Sequence, residues 1–136
     1  PTCNFVADFV GTSNFFKGKR TGDVVDTGKI KVRVTKNGEA ADEPVSLAVR
    51  PENIEVFKKH ELPKVAEPMN LFEGRIDVVV FLGAAVRLLI GMNGDEIISD
   101  INEKEFQQRC LKQGDEIYFY IPPEAFMVFS EREAAR

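Results

Sequence analysis

The stretch Leu71–Ile101 constrains this chain more than any other. Three apolar runs are separated there by Gly83-Ala84 and by Asn93-Gly94-Asp95. Ile76, Val78 and Val80 alternate with Arg75, Asp77 and Val79, and Val86, Leu88 and Ile90 alternate with Arg87 and Leu89. A period of two places alternate side chains on opposite faces of a strand. Asn-Gly is a strong hairpin signal because both residues tolerate positive φ. The stretch therefore predicts a three-stranded antiparallel meander with Val78, Val80, Val86 and Leu88 in the core. Val79, Phe81 and Leu89 fall out of phase with that set, so the second face is apolar too and needs a cover. The candidates are a helix over Phe5–Val10, a helix over Asn102–Gln113, or a second subunit.

The remaining segments supply what packs against the meander. Phe5, Val6, Phe9 and Val10 have helical spacing between Asn4, a cap, and Gly11, a stop. Phe15–Arg20 reads as a strand, Gly22-Asp23 as a turn and Val24-Val25 as a short pairing segment. Lys29–Lys36 is a strand with Ile30, Val32 and Val34 inward. Val45–Val49 is another, and Arg50-Pro51-Glu52-Asn53 turns into Ile54–Phe57. Lys58–Pro68 is polar, with two prolines, and reads as a linker or a long surface loop. Asn102 caps a helix with Glu105 at its third position, Ile101 and Phe106 form a staple, and Gly114 closes the helix. Glu116–Ile121 and Phe126–Phe129 are strands around a Pro122-Pro123-Glu124 turn, and Glu131–Arg136 is a frayed tail.

Two pairs of segments echo each other in the same order. Asn14-Phe15-Phe16-Lys17-Gly18 returns as Asn70-Leu71-Phe72-Glu73-Gly74, and Val49–Phe57 returns as Ile121–Phe129. The Asn102–Gln113 helix accounts for the larger offset of the second pair. The halves run over about 12–57 and 68–129, joined by a linker at about 58–68. Short strands, Gly-rich turns and one or two helices make an all-β fold, a small barrel or a pair of barrel-like halves.

Composition narrows the function. With 136 residues the chain is one domain, and a net charge of −4 disfavours general nucleic-acid binding. Lys17, Lys19, Arg20, Lys29, Lys31 and Arg33 form the one basic set, which reads as lysines guarding sheet edges. No apolar run is long enough to span a bilayer, and no signal peptide is visible. Cys3 and Cys110 fit no metal spacing and read as free thiols of a reducing compartment, the alternative being a disulfide between them, which needs close Cβ atoms. His60, the one histidine, lies in a polar stretch and reads as a solvated loop residue. A phosphate loop around Gly18-Lys19 fails at Ser13 and Arg20, and no nucleophile elbow or paired-carboxylate site stands out. No catalysis is expected of these residues.

Three segments resemble a known family. Phe5–Phe15 (FVADFVGTSNF) resembles the segment just after the nucleotide-binding domain of ABC importer ATPases. Leu47-Ala48-Val49-Arg50-Pro51-Glu52 and Gly74-x-Ile76…Phe81-Leu82-Gly83 resemble later landmarks of the same C-terminal region. Over Pro1–Ser130 the chain resembles the transport-associated OB domain, or TOBE domain, of polyamine, iron and sugar importer ATPases. The resemblance implies an OB-type small β-barrel that helps to dimerise and regulate the ATPase, with the polyamine type preferred. Its partners would be a second copy, the ATPase domain of the parent chain and, indirectly, the membrane subunits, with no nucleic acid. It would lie in the cytoplasm at the inner face of the cell membrane. The nucleotide site would lie in the preceding domain, so no cofactor and no metal are expected here. The landmark positions are Asn14, Arg50, Pro51, Glu52, Asn70, Gly74, Gly83, Pro123 and Glu124. The alternative is a free-standing small-ligand or oxyanion-binding OB module. A related module binds molybdate-like oxyanions through Ser-Ala-Arg-Asn; here Glu67-Pro68-Met69-Asn70 and Gly11-Thr12-Ser13-Asn14 keep only the Asn, and Glu67 would repel an anion.

Overall fold

Each half of the chain contributes five strands in the same succession. In the computed structural model, which describes residues 13–35 and 42–130, the first half holds β1 (Asn14–Thr21), β2 (Val24–Asp26), β3 (Lys31–Arg33), β4 (Glu43–Val49) and β5 (Glu55–Lys58). The second holds β6 (Leu71–Leu82), β7 (Ala85–Met92), β8 (Asp95–Asn102), helix α1 (Glu103–Arg109), β9 (Glu116–Tyr120) and β10 (Met127–Ser130). The expected Phe5–Val10 helix, Cys3 and the tail after Ser130 lie outside the described residues. No described helix is long and apolar enough to cross a membrane.

The strands form two five-stranded sheets of matching order, β10-β4-β1-β2-β3 and β5-β9-β6-β7-β8. The fifth strand of each half is therefore laid into the other half's sheet. The registers also match. Glu55 of β5 sits opposite Tyr120 of β9, and Met127 of β10 sits opposite Ala48 of β4, each position 72 residues on from its counterpart. Likewise Phe15 faces Ala48 and Leu71 faces Tyr120. Before each swapped strand a 3-10 turn opens on proline, over Pro51–Asn53 and Pro123–Ala125. Proline fits the first turn position because its fixed φ is already suitable and its missing N–H is not needed.

The hydrophobic core lies between the sheets as one cluster. Val25, Val32 and Leu47 from one side meet Ile76, Leu88, Ile97, Ile117 and Phe119 from the other. Val32 and Val34 are buried and Ile30 partly so, as the alternation predicts, although β3 is shorter than expected. The meander forms with both expected turns: Gly83 has φ +82°, and Asn93 and Gly94 both have positive φ, the two-residue hairpin geometry.

Two sequence expectations need correction. Val86 and Leu88 are fully buried, but Val78 and Val80 are exposed. The cause is a bulge in β6 between Ile76 and Val78, which inserts Asp77 and flips the face of every later residue. Val79 now lies opposite buried Leu88 and packs on the core, while Val78 lies opposite Leu89 on the outer face. The second correction concerns α1. Asn102 caps it as predicted, its side chain accepting from the Glu105 N–H at 2.7 Å. The helix ends earlier than expected, at Cys110 in the left-handed region with φ 55°, and Gly114 lies in the following turn. Cys110 is exposed with a free thiol, and His60 is exposed in the 3-10 turn Lys59–Glu61.

Candidate functional site

The two echoed asparagines are buried polar groups held by backbone on both sides of the amide. Asn70 is fully buried at the start of β6. Its Nδ2 donates to the carbonyls of Arg33 and Ile121, both at 2.8 Å, and its Oδ1 accepts from the Arg33 N–H at 2.7 Å. Asn14, at the start of β1, repeats the arrangement. Its Nδ2 donates to the Ile98 carbonyl at 2.8 Å and more weakly to Val49 at 3.4 Å, and its Oδ1 accepts from the Ile98 N–H at 2.6 Å. A carboxamide carries donor and acceptor side by side, as a peptide unit does. Each asparagine thus acts as one residue of a neighbouring strand, bonding to the outer strand, β3 or β8, of the opposite half. This satisfies backbone groups that an edge strand would otherwise leave open.

Four residues after each asparagine stands a glycine, and the reason is steric. A Cβ at Gly74 would lie 2.6 Å from Ile90 Cγ2 and 3.2 Å from Phe119 Cε1. At Gly18 it would lie 2.6 Å from the Asp26 carbonyl oxygen and 2.8 Å from Val25 Cγ1. The echoed Asn-x-x-x-Gly pattern is therefore a clamp followed by a close strand approach.

The other landmark positions fall into separate places. Pro51 and Glu52, in the 3-10 turn that follows Arg50, pack beside β8; Pro51 is buried and Glu52 exposed. The hydrogen bonds to Asp100 hold the Arg87 guanidinium above its usual pKa, with a smaller contribution from the Glu52 charge. Pro123 and Glu124 follow Ile121, which the Asn70 clamp grips. Gly83 is distant from both, at the β6–β7 turn. Sequence reasoning missed Arg33 as a centre. Its guanidinium lies 2.8 Å from Asp23 Oδ2 through Nη1 and 2.8 Å from Glu67 Oε1 through Nε, and these carboxylates, Asp23 first, raise its pKa. The signal was present, since Glu67-Pro-Met-Asn70 places an acid three residues before the clamp.

The basic set does not form one face. Arg20 is buried, donating from Nε to the Gly22 carbonyl at 2.6 Å, and Lys29 pairs with Asp95 at 3.1 Å. With Arg33 also paired, the set is broken up. The oxyanion motif position fares similarly: the Asn70 amide is fully occupied by backbone, and Glu67 stands beside it on Arg33.

A cleft of about 860 Å³ is lined by Glu73, Asp77, Asp95, Glu96 and Glu116 with Lys59 and Arg75. Lys59 bonds Glu73 at 2.7 Å, which raises its pKa, and lies 5.0 Å from the Tyr118 ring centroid. Arg75 pairs with Asp77 at 3.1 Å. The cleft keeps an excess of negative charge, five carboxylates against Lys59 and Arg75. Among the described residues no group of three or more His, Cys, Asp or Glu side chains is placed to hold a metal ion.

A family model described as "TOBE domain" matches residues 47–129. The chain is 24% identical over 129 residues to the molybdate/tungstate import ATP-binding protein WtpC of Pyrococcus horikoshii, covering 95% of this chain and 36% of that protein. It is 34% identical over 106 residues to the spermidine/putrescine import ATP-binding protein PotA of a Nostoc species, covering 68% of this chain and 27% of that protein. It therefore spans about a third and about a quarter of those relatives' lengths. Among solved structures, the cytoplasmic molybdate-binding protein ModG superposes with a TM-score of 0.71 at 15% identity, over 86% of this chain and 95% of that one. That likeness places the two interlocked sheets in the OB-type, all-β architecture anticipated from the sequence. Matched by the model from β4 to β10, the chain belongs to the TOBE domain family.

Proposed function

We propose that this chain is the non-catalytic C-terminal regulatory and dimerisation domain of an ABC importer's ATP-binding subunit. The observation that carries the reading is the alignment of 129 of its residues with about a third of an importer's ATP-binding protein. On this reading the partners are the ATPase domain of the same parent chain, a second copy and, through the complex, the membrane subunits. The domain works at the cytoplasmic face of the membrane. The half-repeats run over about 12–57 and 68–129, with the linker at about 58–68. Asn14, Asn70 and Gly74 are fold-determining landmarks, and Arg50, Pro51, Glu52, Gly83, Pro123 and Glu124 shape turns. A polyamine cargo is preferred, because the spermidine/putrescine relative has the higher identity of the two.

The parent gene tests this directly. A Walker-type ATPase domain encoded in frame upstream of Pro1 supports the reading, and a stop codon or an unrelated domain there refutes it.

One observation favours a second reading, a free-standing ligand-binding module: ModG, a binding protein, is matched over 95% of its own chain. Against an oxyanion stand the occupied Asn70 amide and the carboxylate-lined cleft. Calorimetric titration with molybdate, sulfate and spermidine separates the readings: heat of saturable binding supports the module, and silence across the panel removes it.

A further inference from the structure

The β7–β8 turn, Asn93-Gly94, carries chemistry beyond closing a hairpin. The side-chain amide carbon of an asparagine lies one five-membered ring away from the backbone nitrogen of the next residue. Ring closure needs a carboxamide that is not held elsewhere, an open approach to that nitrogen and room for the backbone to rotate. A following glycine helps on the last two counts, because it has no Cβ to shield or restrict it.

The described asparagines differ in these respects. Asn14 and Asn70 have both ends of the carboxamide bonded to backbone. Asn102 accepts from the Glu105 N–H at 2.7 Å as the cap of α1. Asn53 precedes Ile54, whose branched side chain is buried and crowds the approach. Asn93 differs from all four. It and Gly94 are exposed, and among the described residues no hydrogen bond holds its carboxamide. A Cβ at Gly94 would meet no atom within 4 Å, so the way to its nitrogen is open. The β7–β8 ladder ends with Met92 opposite Asp95, which leaves the Gly94 nitrogen outside it. Rotation at Asn93 therefore disturbs only the closing pair, an opening at the low-cost end of local unfolding.

We propose that Asn93 is a site of spontaneous post-translational modification, at which the folded chain converts asparagine to aspartyl and isoaspartyl residues. The Gly94 nitrogen attacks Asn93 Cγ. The N–Cγ bond forms, the Gly94 proton passes to water, and the Cγ–Nδ2 bond breaks as ammonia leaves. Water then adds to either carbonyl of the cyclic imide. Cleavage of the new N–Cγ bond gives aspartate; cleavage at the Asn93 backbone carbonyl gives isoaspartate. One water is consumed, one ammonia is released, and nothing is oxidised or reduced. Asn93 and Gly94 line the carboxylate-rich cleft beside Asp95 and Glu96, so either product adds a negative charge there. Isoaspartate also runs the chain through the side chain, which lengthens a turn whose two positive φ values match the strand twist. The loss falls at the Met92 end of the hairpin and spares Ile98, which Asn14 grips.

Peptide mapping by mass spectrometry of the 136-residue chain, aged in warm, mildly alkaline buffer, tests the proposal. Trypsin releases Asn93 in Leu88–Lys104, apart from Asn37-Gly38, a second such pair that lies outside the described residues. A parallel sample in urea gives the rate of the unfolded chain. The folded chain is expected to gain about one mass unit between Met92 and Asp95, as two chromatographically distinct products, within about 100-fold of the unfolded rate. An Asn93→Asp variant, with folding checked by circular dichroism, is expected to show no gain. If that variant does not fold, Asn93→Gln replaces it, because its six-membered ring closes far more slowly. A folded chain slower than the unfolded one by more than about 100-fold overturns the proposal, since the turn then shields the pair. A mass gain placed at Asn102, or one unchanged in the folded variant, overturns the assignment to Asn93.

Discussion

Replacing Asn70 by alanine tests whether the clamps bear the fold. The substitution removes three hydrogen bonds, to the Arg33 carbonyl, the Ile121 carbonyl and the Arg33 N–H. At about 1 kcal/mol net for each, the direct loss is about 3 kcal/mol. Ile121 is fully buried, so its carbonyl, losing this donor away from water, adds about 1 kcal/mol of desolvation cost. Arg33 is half-buried on β3, where water replaces the lost partner more cheaply. The expected loss is about 3–4 kcal/mol, a large share of the 5–15 kcal/mol typical of a domain. Urea unfolding with an unchanged slope measures it. Asn70→Asp sharpens the test. It keeps the acceptor for the Arg33 N–H but turns a negative oxygen toward two carbonyls, so at neutral pH it should cost at least as much as alanine. A loss below about 1 kcal/mol for Asn70→Ala, or an aspartate variant as stable as the native chain at pH 7, would refute the clamp argument.

Two further outcomes follow from burial. Leu88→Ala removes a fully buried core side chain and is expected to cost about 2–5 kcal/mol, whereas Val80→Ala, on the exposed side of the bulge, should cost under about 1 kcal/mol by the same unfolding assay; equal losses would mean that the bulge does not set the faces. Tyr120 has its pKa raised above 10, mainly by burial, so the unfolded chain ionises first as pH rises. The stability linked to Tyr120 is complete below pH 10 and is lost as pH climbs from there through the folded-state value. Lys59, raised by its bond to Glu73, acts in the same direction above its usual value. Thermal unfolding followed from pH 9 to 11.5 should show the native Tm falling more steeply than that of Tyr120→Phe; parallel curves would exclude a buried, un-ionised tyrosine.

What the sequence displayed well was periodic. Alternation alone placed Val32, Val34, Val86 and Leu88 in the core, and the turn residues placed both meander hairpins. What it hid was anything that breaks the period. Nothing in Arg75-Ile76-Asp77-Val78 announces that Asp77 is inserted, because the run stays apolar on both sides of the slip, and so the faces of Val78 and Val80 came out reversed. The helix end was hidden for a related reason: Cys110 takes a left-handed conformation usually left to glycine or asparagine, and Gly114 was the more obvious stop. The site was legible in part. The echoed Asn and Gly were visible as a repeat, but that the amides reach the opposite half, 84 residues away for Asn14 and 37 for Asn70, is a long-range fact no local pattern encodes.

That reach explains how the fold is tied together and where it is left open. β5 lies in the second sheet and β10 in the first, each asparagine grips the outer strand of the other half, and the core is one cluster. Neither half can complete its sheet or close its edge without the other. Most of its stabilising contacts therefore join distant parts of the chain, so folding should be cooperative across both halves and slow for a domain of this size. A substitution within the interlock disturbs both halves at once. The β6–β7 extension past Thr21's counterpart carries no clamp and no swapped strand. Its outer side chains can change without undoing the closure, and this is the part of the described fold where contact residues can be placed at least cost to stability. The exposed apolar surface lies there because the rest of the meander is already committed to holding the two halves together.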